Sequence, residues 1–333
     1  MNKKVLAALL AGVMCLGLTA CGGDAPAGDT AGSGAQTAST TYTVGICQLV
    51  EHVALDAATQ GFQDALIDIL GEDAVTFDVQ NAQNDSNTCS TIINGFVSKK
   101  VDLILANATP ALQAAAAGTN EIPILGTSIT EYGVALEIPG FDGTVGGNIS
   151  GTSDLAPLDE QAAMLQEWFP DAEKVGLLYC SAEANSQYQI DEVKAALEDL
   201  GYTCTVYAFS DSNDLSAVCT SAANESDVIY LPTDNTVAAN TGIIDNICRP
   251  AKVPVIAGEE GICAGCGVAT LSISYYDLGY TTGEMAARIL KGEANISEMP
   301  IEYTVVTKKY NEAICNELGL TPPEGYEPIE AAG

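Results

Sequence analysis

The single histidine of the chain stands among acids. In GICQLVEHVALDAATQGF, Gly45 to Phe62, Glu51 adjoins His52 and Asp56 follows four residues on. Three chemistries suit those residue types: metal ligation, acid/base transfer, and polar contact at the lip of a binding cleft. Metal ligation would need partners from elsewhere. The one close cysteine pair, Cys263 and Cys266 in CAGC, has no second C-x-x-C or H-x-x-x-H to complete a zinc set. A redox C-x-x-C opens a helix after a strand, whereas Gly261, Gly265 and Gly267 surround this pair. A Ser/His/Asp triad would have to use His52, and no serine is set in a G-x-S-x-G elbow. No G-x-x-x-x-G-K loop occurs, and VGGNISG does not lie between a first strand and a first helix as a dinucleotide fingerprint must. Paired carboxylates of the glycosidase kind stay open, because Asp and Glu are frequent throughout. The reading is therefore of a protein that is not an enzyme and uses no metal and no cofactor.

The elements that would position such residues form a regular series. From Tyr42, YTVGIC reads as a strand, 54–70 as an amphipathic helix, VTFDVQ as a strand, 87–98 as a helix, DLILAN as a strand, 110–117 as a helix and IPILGT as a strand. Alternation of this kind gives an α/β fold whose parallel sheet is covered by helices on both faces. The pattern restarts with KVGLLYC at 174–180, a helix over 185–200, TCTVYAF, a helix over 213–222, DVIYLP, a helix over 235–247 and VPVIAG. The likeness extends to local sequence. VDLILANATPALQAA (101–115) parallels SDVIYLPTDNTVAAN (226–240), and EIPILGTS (121–128) parallels KVPVIAGE (252–259), as expected of a duplicated βα unit. Between the halves, FDGTVGGNISGTSDLAPLDEQ has four glycines and reads as a crossing able to absorb rotation between lobes. A strand and long helix over 269–293, then a closing strand and helix, come after the second half, so the chain crosses between lobes more than once.

In open α/β sheets, ligands lie beyond the carboxyl ends of the strands. The loops there are QLVEH (48–52), NATP (107–110), TSITE (127–131), SAEANS (181–186), PTDNT (232–236) and EE (259–260), polar at nearly every position. Two facing rims of this kind make a cleft suited to a zwitterion. Hydroxyls and helix N-termini at NATP and TSIT would hold a carboxylate, and Asp234 or Glu183 an ammonium. Each such residue also has a plain alternative as a helix N-cap. Asp56 falls in the first turn of the first helix, and His52 is a cleft residue or one that packs at the helix start.

The N-terminus and composition set the location. MNKKVLAALLAGVMCLGLTAC combines two lysines with an apolar run too short to span a bilayer, which marks a secretory signal over residues 1–20. Its end, LTAC, resembles the bacterial lipobox, which implies lipidation of Cys21 and anchoring to a membrane surface. GGDAPAGDTAGSGAQTAST is too poor in large apolar residues to form a core, so 21–41 reads as a tether. A formal charge of −32, from 44 acidic and 12 basic residues, repels nucleic acid. Nine cysteines remain in the folded part, scattered in the manner of small buried packing residues.

Together, VGICQLVEHVALDAATQGFQDAL, ANATPALQAA, ILGTSITE, NISGTSDLAPLDEQ, YCSAEANSQYQ, LPTDNTV and YYDLGYTTGEMAARILKGE resemble the ABC transporter substrate-binding lipoproteins of the tryptophan/tyrosine type, over about residues 42–320. The resemblance implies a type I periplasmic-binding-protein fold: two Rossmann-like lobes joined by three crossing segments, 42–152 with 275–298 and 153–274 with 299–333. It implies capture of an amino acid, aromatic by the family's habit, and delivery to a permease with its ATPase. A ligand-sensing receptor of the same fold that signals to a partner chain, or a receptor for another small polar solute, are the alternatives. Carried over by position, Gln48, Glu51, His52, Thr109 and Ser128 line one rim, and Glu183, Asn185, Ser186, Asp234 and Asn235 the other. Where relatives read TDP after the T-S-V strand end, this chain has TEYGVALE, placing Tyr132 either as an aromatic cleft wall or at the surface.

Overall fold

The computed structural model describes residues 41–329. The expected signal, the lipidation site expected at Cys21 and nearly all of the expected tether lie outside the described residues. The first series comprises β1 (Tyr42–Gln48), α1 (Val53–Leu70), β2 (Val75–Asn81), α2 (Ser86–Lys99), β3 (Leu103–Asn107), α3 (Thr109–Gly118), β4 (Ile124–Ile129), α4 (Tyr132–Ala135) and β5 (Ile149–Ser153). The second comprises α5 (Leu158–Trp168), β6 (Lys174–Cys180), α6 (Ala184–Asp199), β7 (Thr203–Phe209), α7 (Ser212–Glu225), β8 (Val228–Leu231), α8 (Asn235–Ala238), α9 (Thr241–Ala251), β9 (Val255–Ala257), α10 (Glu260–Cys266) and β10 (Ala269–Ile273). The chain closes with α11 (Tyr275–Leu290), β11 (Glu302–Tyr303), β12 (Val306–Tyr310), α12 (Glu312–Leu318) and β13 (Glu327–Pro328).

The strands form two sheets, ordered β11-β5-β4-β3-β1-β2 and β13-β12-β10-β9-β8-β6-β7. Strip off the late strands and both sheets have one order, with β6 to β10 standing where β1 to β5 stand. All pairings among those ten strands are parallel. The duplication read from the sequence is thus a duplication of topology. Side chains alternate between two apolar layers in each lobe, as period-two geometry demands. Leu103 and Leu105 of β3 face the layer that contains Phe62 of α1 and Met285 of α11, whereas Ile104 and Ala106 face that of Phe96 and Leu112. In the second lobe Val228 and Tyr230 face one layer, Ile229 and Leu231 the other.

Two expectations change. The Gly-rich stretch between the halves is not simply a crossing: it contains β5, buried along its whole length between β4 and β11. Glycine is required there because Gly151, at φ +148°, lies so close to β4 that a Cβ would stand 2.1 Å from the Gly126 carbonyl oxygen. The helix expected over 235–247 is two helices, α8 and α9, broken at 239–240, where Asn240 holds ψ at 25°.

The chain leaves the first sheet at Ser153, returns from β10 through Ser274 into α11, and crosses again between β11 and β12. Glu302 and Tyr303 pair with Thr152 and Ser153, so the first sheet extends to Tyr303. Helix α11 comes after a strand of the second sheet yet packs on α1. Glycine makes that crossing close: a Cβ on Gly279 would sit 1.9 Å from the Ala58 carbonyl oxygen.

Candidate ligand-binding site

A cavity lies where the carboxyl ends of the two sheets face one another. From the first lobe it is lined by His52 after β1, Ser128 and Thr130 at the end of β4, and Asp154 after β5. From the second come Asn185 at the start of α6, Thr233 to Asn235 after β8, and Glu259 after β9; Tyr275, the first residue of α11, reaches the cavity where the chain returns to the first lobe. Each polar lining residue stands at a strand end or the turn after it, at the crevice where such sheets bind ligands. The closed cavity measures about 10 Å³, close to the room one water needs. Two contacts bridge the lobes beside it. His52 Nε2 lies 3.3 Å from Asn235 Oδ1, and Asn84 Nδ2 donates to Thr236 Oγ1 at 3.0 Å.

The opening cluster of acids and histidine therefore comes apart. His52 points to the cavity; burial lowers its pKa, keeping the ring neutral. Its Nε2 carries the proton, because Asn235 uses its amide nitrogen on Glu183 and offers only oxygen. Glu51 is exposed, and together with Gln48 and Asp56 it borders a separate surface cleft of about 250 Å³. Gln48 braces the β1–α1 turn: its amide donates to Asp56 Oδ1 at 2.6 Å and to the Val50 carbonyl at 2.8 Å, while its oxygen accepts from Thr59. Among the described residues no group of His, Cys, Asp and Glu is placed to hold a metal ion. Cys263 and Cys266 are buried in α10, and all nine described cysteines are unbridged.

Of the other residues expected at the rims, Ser128, Asn185, Asp234 and Asn235 line the cavity, whereas Thr109, Glu183 and Ser186 are buried behind it. Glu183 binds the start of α8 with both oxygens. Oε1 accepts from Thr236 N at 2.9 Å and Thr236 Oγ1 at 2.8 Å; Oε2 accepts from Asn235 N at 3.0 Å and Asn235 Nδ2 at 2.7 Å. Asp234 caps the same helix, accepting from Val237 N at 2.8 Å and from Cys180 N at 2.7 Å. Glu259 caps α10 through Gly261 N and Ile262 N. The N-cap alternative thus describes Asp234 and Glu259, and Glu183 reaches across to satisfy a helix some fifty residues away. Tyr132 takes neither of its expected places. It is buried, stacked on Phe141 with centroids 6.4 Å apart, and its hydroxyl donates to the Thr152 carbonyl.

Thr130, Asp154, Thr233, Glu259 and Tyr275 complete the polar lining, with Leu55 and Ala238 as its apolar members. Thr130, Thr233 and Glu259 lie in rim loops visible in the sequence. Asp154 and Tyr275 escape a pattern search because they come after the strands beside the crossings, although both sit in stretches that carry the family resemblance. They meet across the crossing, where the Tyr275 hydroxyl donates to Asp154 Oδ2 at 2.9 Å. Burial is the leading cause that raises the lining acids, Asp154 to about 6, Glu259 to about 7 and Asp234 to about 8. Glu183 beside Asp234 adds to the last shift. No lysine or arginine lines the cavity. Three buried polar atoms in the lining have no partner: Ser128 Oγ, Asp154 Oδ1 and Asn185 Oδ1. Ser128 also holds a left-handed φ of +57°. Unpaired buried polar groups and backbone strain gathered at one place mark a site built for function instead of stability.

Two lobes of one topology, closing polar rims over a small chamber, define a solute-binding protein. The chain belongs to the family described as ABC transporter substrate binding protein, whose model matches residues 43–326. Proteins of this family bind solutes outside the cytoplasm and are not enzymes. A protein named tyrosine-binding protein, from Clostridioides difficile (strain R20291), is 35% identical over 324 residues, 95% of this chain and 91% of the relative. A solved structure from Streptococcus pneumonia, described as an ABC domain in complex with L-Trp, superposes with a TM-score of 0.82 at 30% identity, covering 87% of this chain and all of that one. The ligand-free, open structure of a substrate-binding protein with adhesive properties from Clostridium difficile superposes with a TM-score of 0.67 at 37% identity, covering 88% of this chain and all of that one. No described helix is long and apolar enough to cross a membrane.

Proposed function

We propose that this protein is a lipoprotein, anchored through Cys21, that captures an aromatic amino acid between its lobes and delivers it to an ABC permease and its ATPase. The observation that carries the reading is the set of unpartnered polar atoms contributed by both lobes to one enclosed cavity. His52, Ser128, Asn185, Asp234 and Asn235 are ligand-facing in this reading. Thr130, Asp154, Thr233, Glu259 and Tyr275 join them, while Gln48, Glu51, Thr109, Glu183 and Ser186 support or flank the site. The aromatic preference rests on the relatives. One is named for tyrosine and another was solved with L-Trp.

A cavity of about 10 Å³ is far smaller than the roughly 300 Å³ at which small-molecule pockets begin, so entry requires the lobes to part. The segments at 154–157, Ser274 and 304–305 are the hinges of that motion. The lobes they join are 42–153 with α11 and β11, and 158–273 with β12, α12 and β13. The comparisons support the motion: the chain superposes better on the L-Trp complex than on the ligand-free open structure, although its identity to the latter is higher. Sequence divergence would give the opposite order, and a rigid rotation of one lobe gives the order seen.

Thermal unfolding with each of the twenty amino acids tests the ligand. A ligand that binds only the folded state stabilises it by about 2.7 kcal/mol at a hundred times its Kd. Aromatic amino acids are expected to raise the melting temperature, and a rise confined to another solute class would overturn the aromatic assignment. Cys21→Ala tests the anchor, since it should release the protein from the membrane fraction. Delivery is tested by uptake of radiolabelled tyrosine and tryptophan in cells with and without this protein.

A further inference from the structure

We propose that Cys219 and Cys248 are a site of oxidative modification, closing into one disulfide that ties α9 to α7 when the exported chain meets a low-molecular-weight disulfide. The inference takes from the proposed function only that the protein lies outside the cytoplasm, where disulfides persist. The two sulfurs face each other at 3.8 Å between neighbouring helices, in the apolar layer that covers one side of the second sheet. Other thiols turn to the backbone. Cys180 donates to the Ser210 carbonyl at 3.6 Å, Cys266 to that of Ile262 at 3.4 Å and Cys315 to that of Val268 at 3.6 Å. Cys47 and Cys89 are also neighbours, but Cys47 belongs to β1, which is fixed by ladders to β2 and β3 on its two sides. Cys248 instead lies in the last turn of α9, where Pro250 has no N–H to give the Asn246 carbonyl. A turn short of one hydrogen bond is the part that must move, by the roughly 1.8 Å that separates this contact from a sulfur–sulfur bond.

Cys219 is the attacking group. The hydrogen bond from Cys248 lowers its pKa, whereas Cys248, as the donor, has its own raised. The Cys219 thiolate attacks one sulfur of the external disulfide and expels a thiolate, which takes up the proton that Cys219 gave. Cys248 then loses its proton, and its sulfur displaces the second external thiol from Cys219. Two protein thiols are oxidised, one external disulfide is reduced, and two external thiols leave with both protons. Both protein sulfurs belong to buried residues, so the exchange proceeds when the end of α9 parts from α7, or as the chain first folds. The ring so closed joins residues 29 apart in sequence and contains β8, α8 and the cavity residues Thr233, Asp234 and Asn235. The bridge therefore removes unfolded-state freedom from the segment that brings those three residues to the cavity.

The test treats the full chain with an excess of oxidised glutathione, once in the folded state and once during refolding from urea. Free thiols are then blocked with iodoacetamide and the peptides mapped by mass. A single bridge between Cys219 and Cys248 is expected, and the oxidised protein should melt about 4 °C or more above the reduced one. Cys248→Ala should lack the bridge and leave Cys219 as a mixed disulfide with glutathione; the wild-type peptide map stands even if that variant fails to fold. Alkylation of both Cys219 and Cys248 after both treatments, a bridge between other cysteines in its place, or a lower melting temperature on oxidation overturns the proposal. None of these results bears on export, which the release of Cys21→Ala from the membrane fraction decides separately.

Discussion

Glu183 separates two ways of reading a buried acid at a rim. As a partner for a ligand's ammonium it would be a stability burden before ligand arrives, and its removal would cost affinity alone. In the structure it is the acceptor for four donors at the start of α8, two of them backbone N–H groups of Asn235 and Thr236. Glu183→Ala strands those two buried N–H groups, at about 1 to 3 kcal/mol each. Rotation of the two side-chain donors toward other partners offsets part of the remainder, so a total near ~3 kcal/mol is expected. At about 2 to 4 °C per kcal/mol for a chain of this size, the ligand-free melting temperature should fall by about 6 to 12 °C. Glu183→Gln keeps one acceptor oxygen and the volume but turns an NH₂ toward donors, so it should fall between wild type and Glu183→Ala. Differential scanning calorimetry without ligand reads the effect directly. A change in Glu183→Ala below about 2 °C, with loss of ligand binding, would refute the structural role and restore the ligand-contact reading.

Three further outcomes are expected from the geometry. Asp154, Glu259 and Asp234 are raised to about 6, 7 and 8, so the folded state holds more protons than the unfolded one between about pH 4 and 8. Their contribution is complete below the unfolded carboxylate range and is lost as pH rises through the folded values; His52, lowered by burial, acts in the opposite sense. The ligand-free melting temperature should therefore be higher at about pH 5 than at about pH 8, and the reverse order would show that these acids are not buried as described. Gly279→Ala drives a Cβ onto the Ala58 carbonyl and should destabilise by about 1 to 3 kcal/mol in urea unfolding, whereas Gly95→Ala, inside α2 with open space around it, should stabilise by about 0.5 to 1 kcal/mol. The double variant His52→Ala, Asn84→Ala removes both hydrogen bonds that bridge the lobes, shifting the ligand-free equilibrium at least about fivefold toward the open form, seen as a larger radius of gyration in solution scattering.

Much of the fold is legible because local physics writes it. Continuous apolar runs such as those in DLILAN and KVGLLYC must bury both faces, and 3.6-residue periodicity marks α1, α2 and α7. Strand β5 is not legible, because ISGTS is small and polar and becomes a strand through the bonds that β4 and β11 offer it. The break between α8 and α9 is hidden for a similar reason. Helix α8 is a single turn held by Glu183 and Asp234, side chains whose aim depends on how β6 and β8 pair. The rim loops are visible as polar strand ends, yet their members divide into cavity lining, helix caps and braces only in three dimensions.

By itself the sequence determined the class of fold, its duplication and the strand ends at which a ligand could sit, since periodicity and strand-to-helix turns are local properties of the chain. Tertiary structure decided which polar atoms remain unpartnered. Asp234, Glu183, Glu259 and Asp154 are alike as residues. Three have both oxygens engaged, by helix starts and, for Asp234, also by the Cys180 N–H at the end of β6, and the fourth has an oxygen left over in the cavity between the lobes. Whether a carboxylate is satisfied depends on donors brought from distant parts of the chain, and that is settled only when the two sheets face each other.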